Sequence, residues 1–398
     1  MKRVYLVFAI LLSSLFSFSQ TYNSDVEDII NDVSLDSLTF YLRNLSGEDS
    51  VVVNGQATII DHRVSNWGND LAAEYIDETL RGLGYETTIQ DYDVKGKNVY
   101  AIKDGTLYPQ QFYIICAHYD AVTFYGADDN ASGCTAVLEA ARIFKDILFE
   151  YSVIFAFWDE EELGLLGSEY YADVANIINQ DIIGVINMDM ITWDGNEDSE
   201  FEIHTKQSSS PDFLANHVVG VTSLYNIPLN PRIENPGTSA SDHASFWSND
   251  FDAVCISEEY FGNDFNPYYH TVNDRISNLN MPYFHNMAKV TIGSLASLAA
   301  PDNTTSVEEL LVKNNIELNC FPNPSTGKTT LSVKLKDESS LNIHILNSMV
   351  QKEIHICNDY RLQGKKNFEF NTNKLNPGIY LIVANSSHGN DTFKLLVQ

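Results

Sequence analysis

Four stretches of the chain, QFYIICA (111–117), SVIFAF (152–157), DIIGVIN (181–187) and FDAVCI (251–256), are almost continuously apolar yet only six or seven residues long. Runs of that length fit strands covered on both faces, which is the situation of strands in a parallel sheet flanked by helices. The sequence between them has helical spacing. CTAVLEAARIFKDI (134–147) places Val137, Ala140, Ala141, Phe144 and Ile147 on one face, and NDLAAEYIDETLRG (69–82) does the same with Leu71, Tyr75, Ile76 and Leu80 before Gly82 and Gly84 close it. A last helix is expected from Pro282 to Ala299. Residues 21–300 therefore read as one α/β domain with a mostly parallel central sheet flanked by helices.

The character of the chain changes at Pro301. A polar linker is expected over 301–315, beginning PDNTTS. Short alternating runs then follow, TTLSVKL (329–335), SLNIHIL (340–346), FEFNTN (368–373) and GIYLIVAN (378–385), punctuated by Pro322, Pro324, Gly327, Gly364 and Pro377–Gly378. That pattern predicts a small Ig-like β-sandwich over 316–398. At the other end, Lys2 and Arg3 precede an apolar core, Val4 to Leu12, and a Ser/Phe-rich exit to Gln20. The apolar run is shorter than the roughly 20 residues a bilayer span needs, so 1–20 reads as a cleaved signal peptide and no stable membrane insertion is expected.

A formal net charge of −30, from 54 acidic and 24 basic residues, disfavours nucleic acid and anionic membrane surfaces as partners. The five cysteines (Cys116, Cys134, Cys255, Cys320, Cys357) are odd in number and far apart, unlike a disulfide framework. Cys116 and Cys255 lie inside apolar runs and read as small core residues.

Open α/β sheets place their sites outside the carboxyl ends of the strands. Here the first apolar run leads into Ala117-His118-Tyr119-Asp120, the second into Asp159-Glu160-Glu161-Glu162 and the third into Met188-Asp189. The fourth leads into Glu258-Glu259-Tyr260 and, further on, Asn266-Pro267-Tyr268-Tyr269-His270-Thr271, while Gly126–Gly133 (GADDNASG) sits between the first strand and its helix. Singly, each has an ordinary structural role: a satisfied histidine, a solvated acidic helix start, an Asx turn, a helix cap. At successive ends of one sheet they gather two imidazoles and several carboxylates, the ligand types of a catalytic zinc site.

With those residues in view, 36–300 resembles the M28 metallopeptidases, zinc aminopeptidases related to aminopeptidase Y and the bacterial leucine aminopeptidases. The resemblance rests on LRNLSG (42–47), AHYD (117–120), GADDNASG (126–133), EELGLLGS (161–168), NMDM (187–190) and NPYYHT (266–271). It implies two zinc ions held by His118, Asp128, Glu162, Asp189 and His270, with Asp128 bridging them through a cis Asp128–Asp129 peptide. It further implies Glu161 as general acid/base and Asp120 behind His118, orienting its ring. His243, in SDHASF (241–246), lies in a family motif without being assigned as a ligand. Family aminopeptidases can carry an oxyanion-stabilising Tyr shortly before the SDH motif, but here NPGTSASDH (235–243) has none, leaving that donor unassigned.

The implied function is a secreted aminopeptidase acting on peptides with a free N-terminus. A glutaminyl cyclase using one zinc, or a binding protein on a degenerate peptidase fold, are the alternatives. CFPNPSTG (320–327), LNPGIYLI (375–382) and the terminal KLLV (394–397) resemble the type A sorting domain of the type IX secretion system. That resemblance implies the type IX machinery as partner and an extracellular or cell-surface destination.

Overall fold

The structure, a computed structural model, describes residues 21–64, 66–208, 212–301, 316–346, 352–386 and 389–397. The expected signal peptide, and the expected linker beyond its first residue, lie outside these. The chain divides into two compact units, Met1–Asp302 and Asn303–Gln398.

The first unit opens with helices α1 (Ser24–Asn31) and α2 (Leu35–Leu45), strands β1 (Val51–Val53) and β2 (Gln56–Thr58), and helix α3 (Asn66–Gly82). Strands β3 (Thr87–Asp91), β4 (Lys97–Lys103) and β5 (Tyr108–His118) come next, then α4 (Gly133–Phe144), β6 (Tyr151–Trp158), α5 (Leu166–Ile177) and β7 (Asp181–Met188). The unit finishes with β8 (Glu200–His204), α6 (Phe213–Leu224), β9 (Asn230–Glu234), α7 (His243–Ser248), β10 (Ala253–Ser257) and α8 (Met281–Ala299). Local chemistry sets several helix starts. Asn23, Ser34, Asp212 and Asn280 each cap α1, α2, α6 and α8 with a side-chain oxygen that accepts a backbone N–H two or three residues on.

Apart from the β1–β2 hairpin, the strands form one eight-stranded sheet in the order β3-β4-β6-β5-β7-β10-β8-β9. Its inner four, β6-β5-β7-β10, are mutually parallel and are the four apolar runs of the sequence. Antiparallel pairing enters only towards the edges, at β3–β4, β4–β6 and β10–β8. Alternate residues of the inner strands serve opposite faces. Tyr113, Ile115, Ala117, Val153, Phe155 and Phe157 join a core with α1–α4, α6 and α8, whereas Ile114, Cys116, Ile154, Ala156 and Trp158 join a second core with Tyr171, Ala172 and Phe246. Both faces are dry, which is why the strands lack the polar alternation of a half-solvated sheet. Gly133 lets α4 start close against the sheet, since a Cβ there would meet Ala117 Cβ and the Met188 carbonyl at 2.8 Å.

From β5 the chain crosses to β6 on one side and then returns past β5 to β7 on the other. A crevice is therefore expected at the carboxyl ends of β5 and β7.

The second unit holds β11 (Ile316–Phe321), β12 (Lys328–Leu346), β13 (Lys352–Asn371), β14 (Gly378–Ser386) and β15 (Gly389–Val397), all paired antiparallel. Two strands expected over 329–335 and 340–346 are one long strand with a register shift between Leu335 and Ser339. Leu331, Val333, Leu335, Leu341, Ile343 and Ile345 bury its inward side against Tyr380, Ile382, Ala384, Leu395 and Val397.

Candidate active site

His118 is the last residue of β5 and is 1% exposed. Two residues on, Asp120 Oδ1 lies 3.2 Å from His118 Nδ1, leaving Nε2 to face the crevice. The same carboxylate accepts the backbone N–H groups of Glu161 (Oδ1, 3.1 Å) and Glu162 (Oδ2, 3.1 Å), which follow β6. Asp120 thus fixes both the imidazole and the turn that carries the two glutamates, consistent with a role behind the metal ligands.

The GADDNASG loop differs from expectation in one respect. The cis peptide lies between Asp129 and Asn130, one bond later than Asp128–Asp129. Asp128 points away from the histidines. Its Oδ1 accepts Thr192 N (3.0 Å) and Thr192 Oγ1 (2.5 Å), and its Oδ2 accepts Asn266 Nδ2 (2.7 Å). Asp129 occupies the centre instead, with Oδ1 at 3.4 Å from His118 Nε2 and Oδ2 at 3.1 Å from His270 Nε2. The physical reason is a bonding pattern from distant chain: Asp274 accepts the N–H of Asp128 (2.8 Å) and of Asp129 (3.0 Å), while Thr192 and Asn266 saturate the Asp128 carboxylate. Gly126 opens the loop at φ 52, where a Cβ would meet the Asp129 carbonyl oxygen at 2.5 Å.

The other expected residues converge on the same point. Asp189 Oδ1 is 3.4 Å and Glu161 Oε2 4.0 Å from His118 Nε2, and Glu162 Oε1 is 3.3 Å from His270 Nε2. Ligand-capable atoms of His118, Asp129 and Glu162, and of His118, Glu161 and Asp189, each fall within 4.8 Å of one another. His243 stays outside the cluster, its Nε2 lying 2.9 Å from the Thr238 carbonyl, and burial pushes its imidazole down to about 4.

The electrostatics are those of a site built around positive charge. Burial pushes Glu161 up to about 10, with Asp189 and Asp242 adding to the rise against the pull of His118. Burial likewise raises Glu162 to about 8, helped by Asp129 and opposed by the two histidines. Asp129 is the exception: burial opposes its ionisation, but hydrogen bonds from His118 and His270 hold it below the usual carboxylate range. For His118 burial disfavours the cation, and the carboxylates of Glu161, Asp189, Asp120 and Asp129 outweigh it, raising the imidazole well above its ordinary value. Glu162 Oε1 is buried without a hydrogen-bond donor in good geometry. Imidazole nitrogens beside an excess of buried carboxylates, one oxygen of them orphaned, fit divalent zinc.

A cavity of about 310 Å³ opens on the cluster. Asp129, Glu161, Glu162 and Asp189 line it together with Tyr260, Phe265 and Tyr269. Those rings form a connected series, with centroids 5.7 Å apart for Tyr260–Phe265, 5.0 Å for Phe265–Tyr269 and 3.6 Å for Tyr269–His270. His204, Thr238 and Ser257 also line it and satisfy one another: the Thr238 N–H donates to His204 Nδ1 (3.3 Å) and His204 Nε2 is 3.0 Å from Ser257 Oγ. Burial drives the His204 imidazole down to about 3, keeping it neutral.

Sequence reasoning missed three residues. Asp274 and Thr192 organise the Asp128–Asp129 segment and lie outside every motif considered. Tyr269 stood inside NPYYHT, yet the search for a phenol looked only upstream of SDH. It lines the cavity with Asp129, Glu161, Glu162 and Asp189 and stacks on His270, and burial, then the nearby carboxylates, raise its hydroxyl.

Residues 98–295 match the family described as Peptidase family M28, and residues 319–398 match the Secretion system C-terminal sorting domain. A probable leucine aminopeptidase of Arthroderma benhamiae is 32% identical over 214 residues, 48% of this chain and 53% of that protein, so the chain spans about half of that relative's length. Among solved structures, the LapA aminopeptidase of Legionella pneumophila superposes with a TM-score of 0.61 at 21% identity, covering 73% of this chain and 78% of that one. A glutaminyl cyclase of Bacteroides thetaiotaomicron bound to N-acetylhistamine superposes with a TM-score of 0.54 at 20% identity, covering 67% and 97%. At those identities the structural likeness shows a shared fold. The chain therefore carries a peptidase family M28 domain followed by a secretion-system C-terminal sorting domain.

Proposed function

We propose that this protein is an exported aminopeptidase that uses two zinc ions to hydrolyse the first peptide bond of substrates with a free N-terminus. The observation that carries the reading is the Asp129 carboxylate, which turns one oxygen to His118 at 3.4 Å and the other to His270 at 3.1 Å. That arrangement supports one ion among His118, Asp129 and Asp189 and a second among His270, Asp129 and Glu162. Asp129 thereby takes the bridging role first expected of Asp128.

When bound, the ions polarise the scissile carbonyl and make a water acidic enough to lose its proton near pH 7. Glu161 stands further from His118 Nε2 (4.0 Å) than Asp129 and Asp189 do (3.4 Å each), so it accepts that proton and returns it to the leaving amine. Asp120 keeps the His118 ring and the Glu161–Glu162 backbone in register. Tyr269 donates its hydroxyl to the developing oxyanion, filling the role the sequence left open. The carboxylates lining the cavity favour a free α-ammonium group, and the Tyr260, Phe265 and Tyr269 rings favour an apolar first side chain. The C-terminal sorting domain supports passage through the type IX machinery to the cell surface or medium. Among the described residues no helix is long and apolar enough to cross a membrane.

The test is hydrolysis of an aminoacyl-anilide panel before chelation, after it and with zinc restored, with N-acetylated substrates as controls. Zinc-restorable cleavage confined to free amines supports the reading. Conversion of glutaminyl peptides to pyroglutamate without anilide cleavage would move the assignment to a cyclase.

A further inference from the structure

Val64, Trp67, Val122 and Phe124 are 50%, 58%, 42% and 47% exposed. Scattered apolar residues on a surface need no explanation, whereas neighbours gathered at the mouth of a site mark contact with a ligand. These are neighbours. Residues 61–63 and 121–125 are zipped together: His62 bridges Phe124, Tyr125 N donates to the Asp61 carbonyl (2.9 Å) and Ala121 N donates to the Arg63 carbonyl (3.2 Å). The His62 ring lies 5.5 Å from Trp67 and 5.3 Å from Phe124, centroid to centroid, joining the two aromatic side chains.

The strip begins at the metal cluster. Residues 121–126 pack against 270–274 beside the cluster, with Val122, Thr123, Gly126, Asp129, His270 and Thr271 along a seam too tight to hold a water molecule. Asp129 borders both this seam and the cavity lined by Glu161, Glu162 and Asp189. The seam sets Val122 next to Asp129 and His270, so a substrate whose first residue fills the cavity has its second residue over the surface that begins at Val122.

The strip is also held rigid. Arg63 is 1% exposed and spends its guanidinium on backbone carbonyls: Nε on Tyr119 (2.7 Å), Nη1 on Tyr125 (2.7 Å) and Leu45, and Nη2 on Gly126 (2.7 Å). A surface fixed in advance loses little freedom on binding, so apolar contact there is retained as affinity.

We propose that Val64, Trp67, Val122 and Phe124 form the leaving-side subsite, which receives an apolar or aromatic side chain on the residue after the scissile bond. The proposal rests on the aminopeptidase reading and narrows its substrates to peptides with a bulky apolar second residue. Partial burial of one aromatic side chain on an open surface corresponds to about a tenfold preference.

The experiment compares kcat/KM for leucyl-phenylalanine and leucyl-glycine in the zinc-loaded full-length protein and in Phe124→Ala and Trp67→Ala. Taking the ratio within each protein cancels any loss of folded or metal-loaded enzyme. The expected ratio is about ten in the natural protein and about two in each variant. A ratio near one in the natural protein, or one unchanged in both variants, overturns the subsite. Calorimetric binding of the two dipeptides with the amide reduced to CH₂–NH reads the same preference without turnover. If the peptidase reading failed, neither dipeptide would be cleaved, yet the binding ratio would still decide the subsite: near ten supports it, near one overturns it.

Discussion

The interiors of the two units are built from different materials. In the first, Asp120, Asp128, Asp129, Glu161, Asp242, Glu258 and Asp274 are buried together with His118, His204 and His243. In the second, among the described residues, the buried polar side chains are hydroxyls: Ser325, Thr329, Ser332, Ser339 and Thr372. Hydroxyls satisfy one another at small cost, as Ser325 does with Thr372 at 2.8 Å. Buried carboxylates do not; they demand donors, cations or protons. The contrast locates chemistry in the first unit, where the parallel strands deliver charge to a single edge. The antiparallel second unit closes over aliphatic side chains, which suits a module that is recognised rather than one that reacts.

Changes on each side of that division are expected to be felt separately. The largest effect is expected from Glu161→Gln, with kcat falling by about two to four orders of magnitude while zinc content by elemental analysis is unchanged. Retained turnover would remove Glu161 from proton transfer. Ile343→Ala, in the aliphatic core of the second unit, should cost that unit roughly 2–5 kcal/mol, read as an earlier calorimetric transition. Anilide turnover should stay level, and a parallel fall would show that the units are not independent. Asp120→Asn should weaken zinc binding about 10- to 100-fold in a chelator competition, because the His118 ring and the glutamate turn lose a shared acceptor. Truncation after Ala300 should leave turnover in vitro the same within error and abolish release into the medium. Normal export of the truncated chain would detach the C-terminal domain from sorting.

The legibility of the sequence follows the same contrast. Parallel strands buried on both faces announce themselves as apolar runs, and their ends announce His118, Glu161, Glu162 and Asp189. Asp128 and Asp129 were not separable in this way. Adjacent carboxylates in one motif look alike, and which one turns inward is settled by Thr192, Asn266 and Asp274, 64 to 146 residues away. Tyr269 was overlooked for a related reason: its place on the cavity wall depends on the fold of the loop before His270, not on spacing from SDH. In the second unit, the polar residues at 336–338 read as a break between two strands. The chain instead passes through a register shift there, kept in one ladder by pairing with Lys352–Asn371.

The central claim is that Asp129, rather than its neighbour, joins two metal ions in one active centre. Zinc titration into metal-free protein, followed by calorimetry, tests it most directly when the natural sequence is run beside Asp129→Asn and Asp128→Asn. The account predicts two zinc ions per chain in the natural protein, one or fewer in Asp129→Asn, and two, more weakly held, in Asp128→Asn. A single ion in the natural protein, or two tightly held ions in Asp129→Asn, would contradict it.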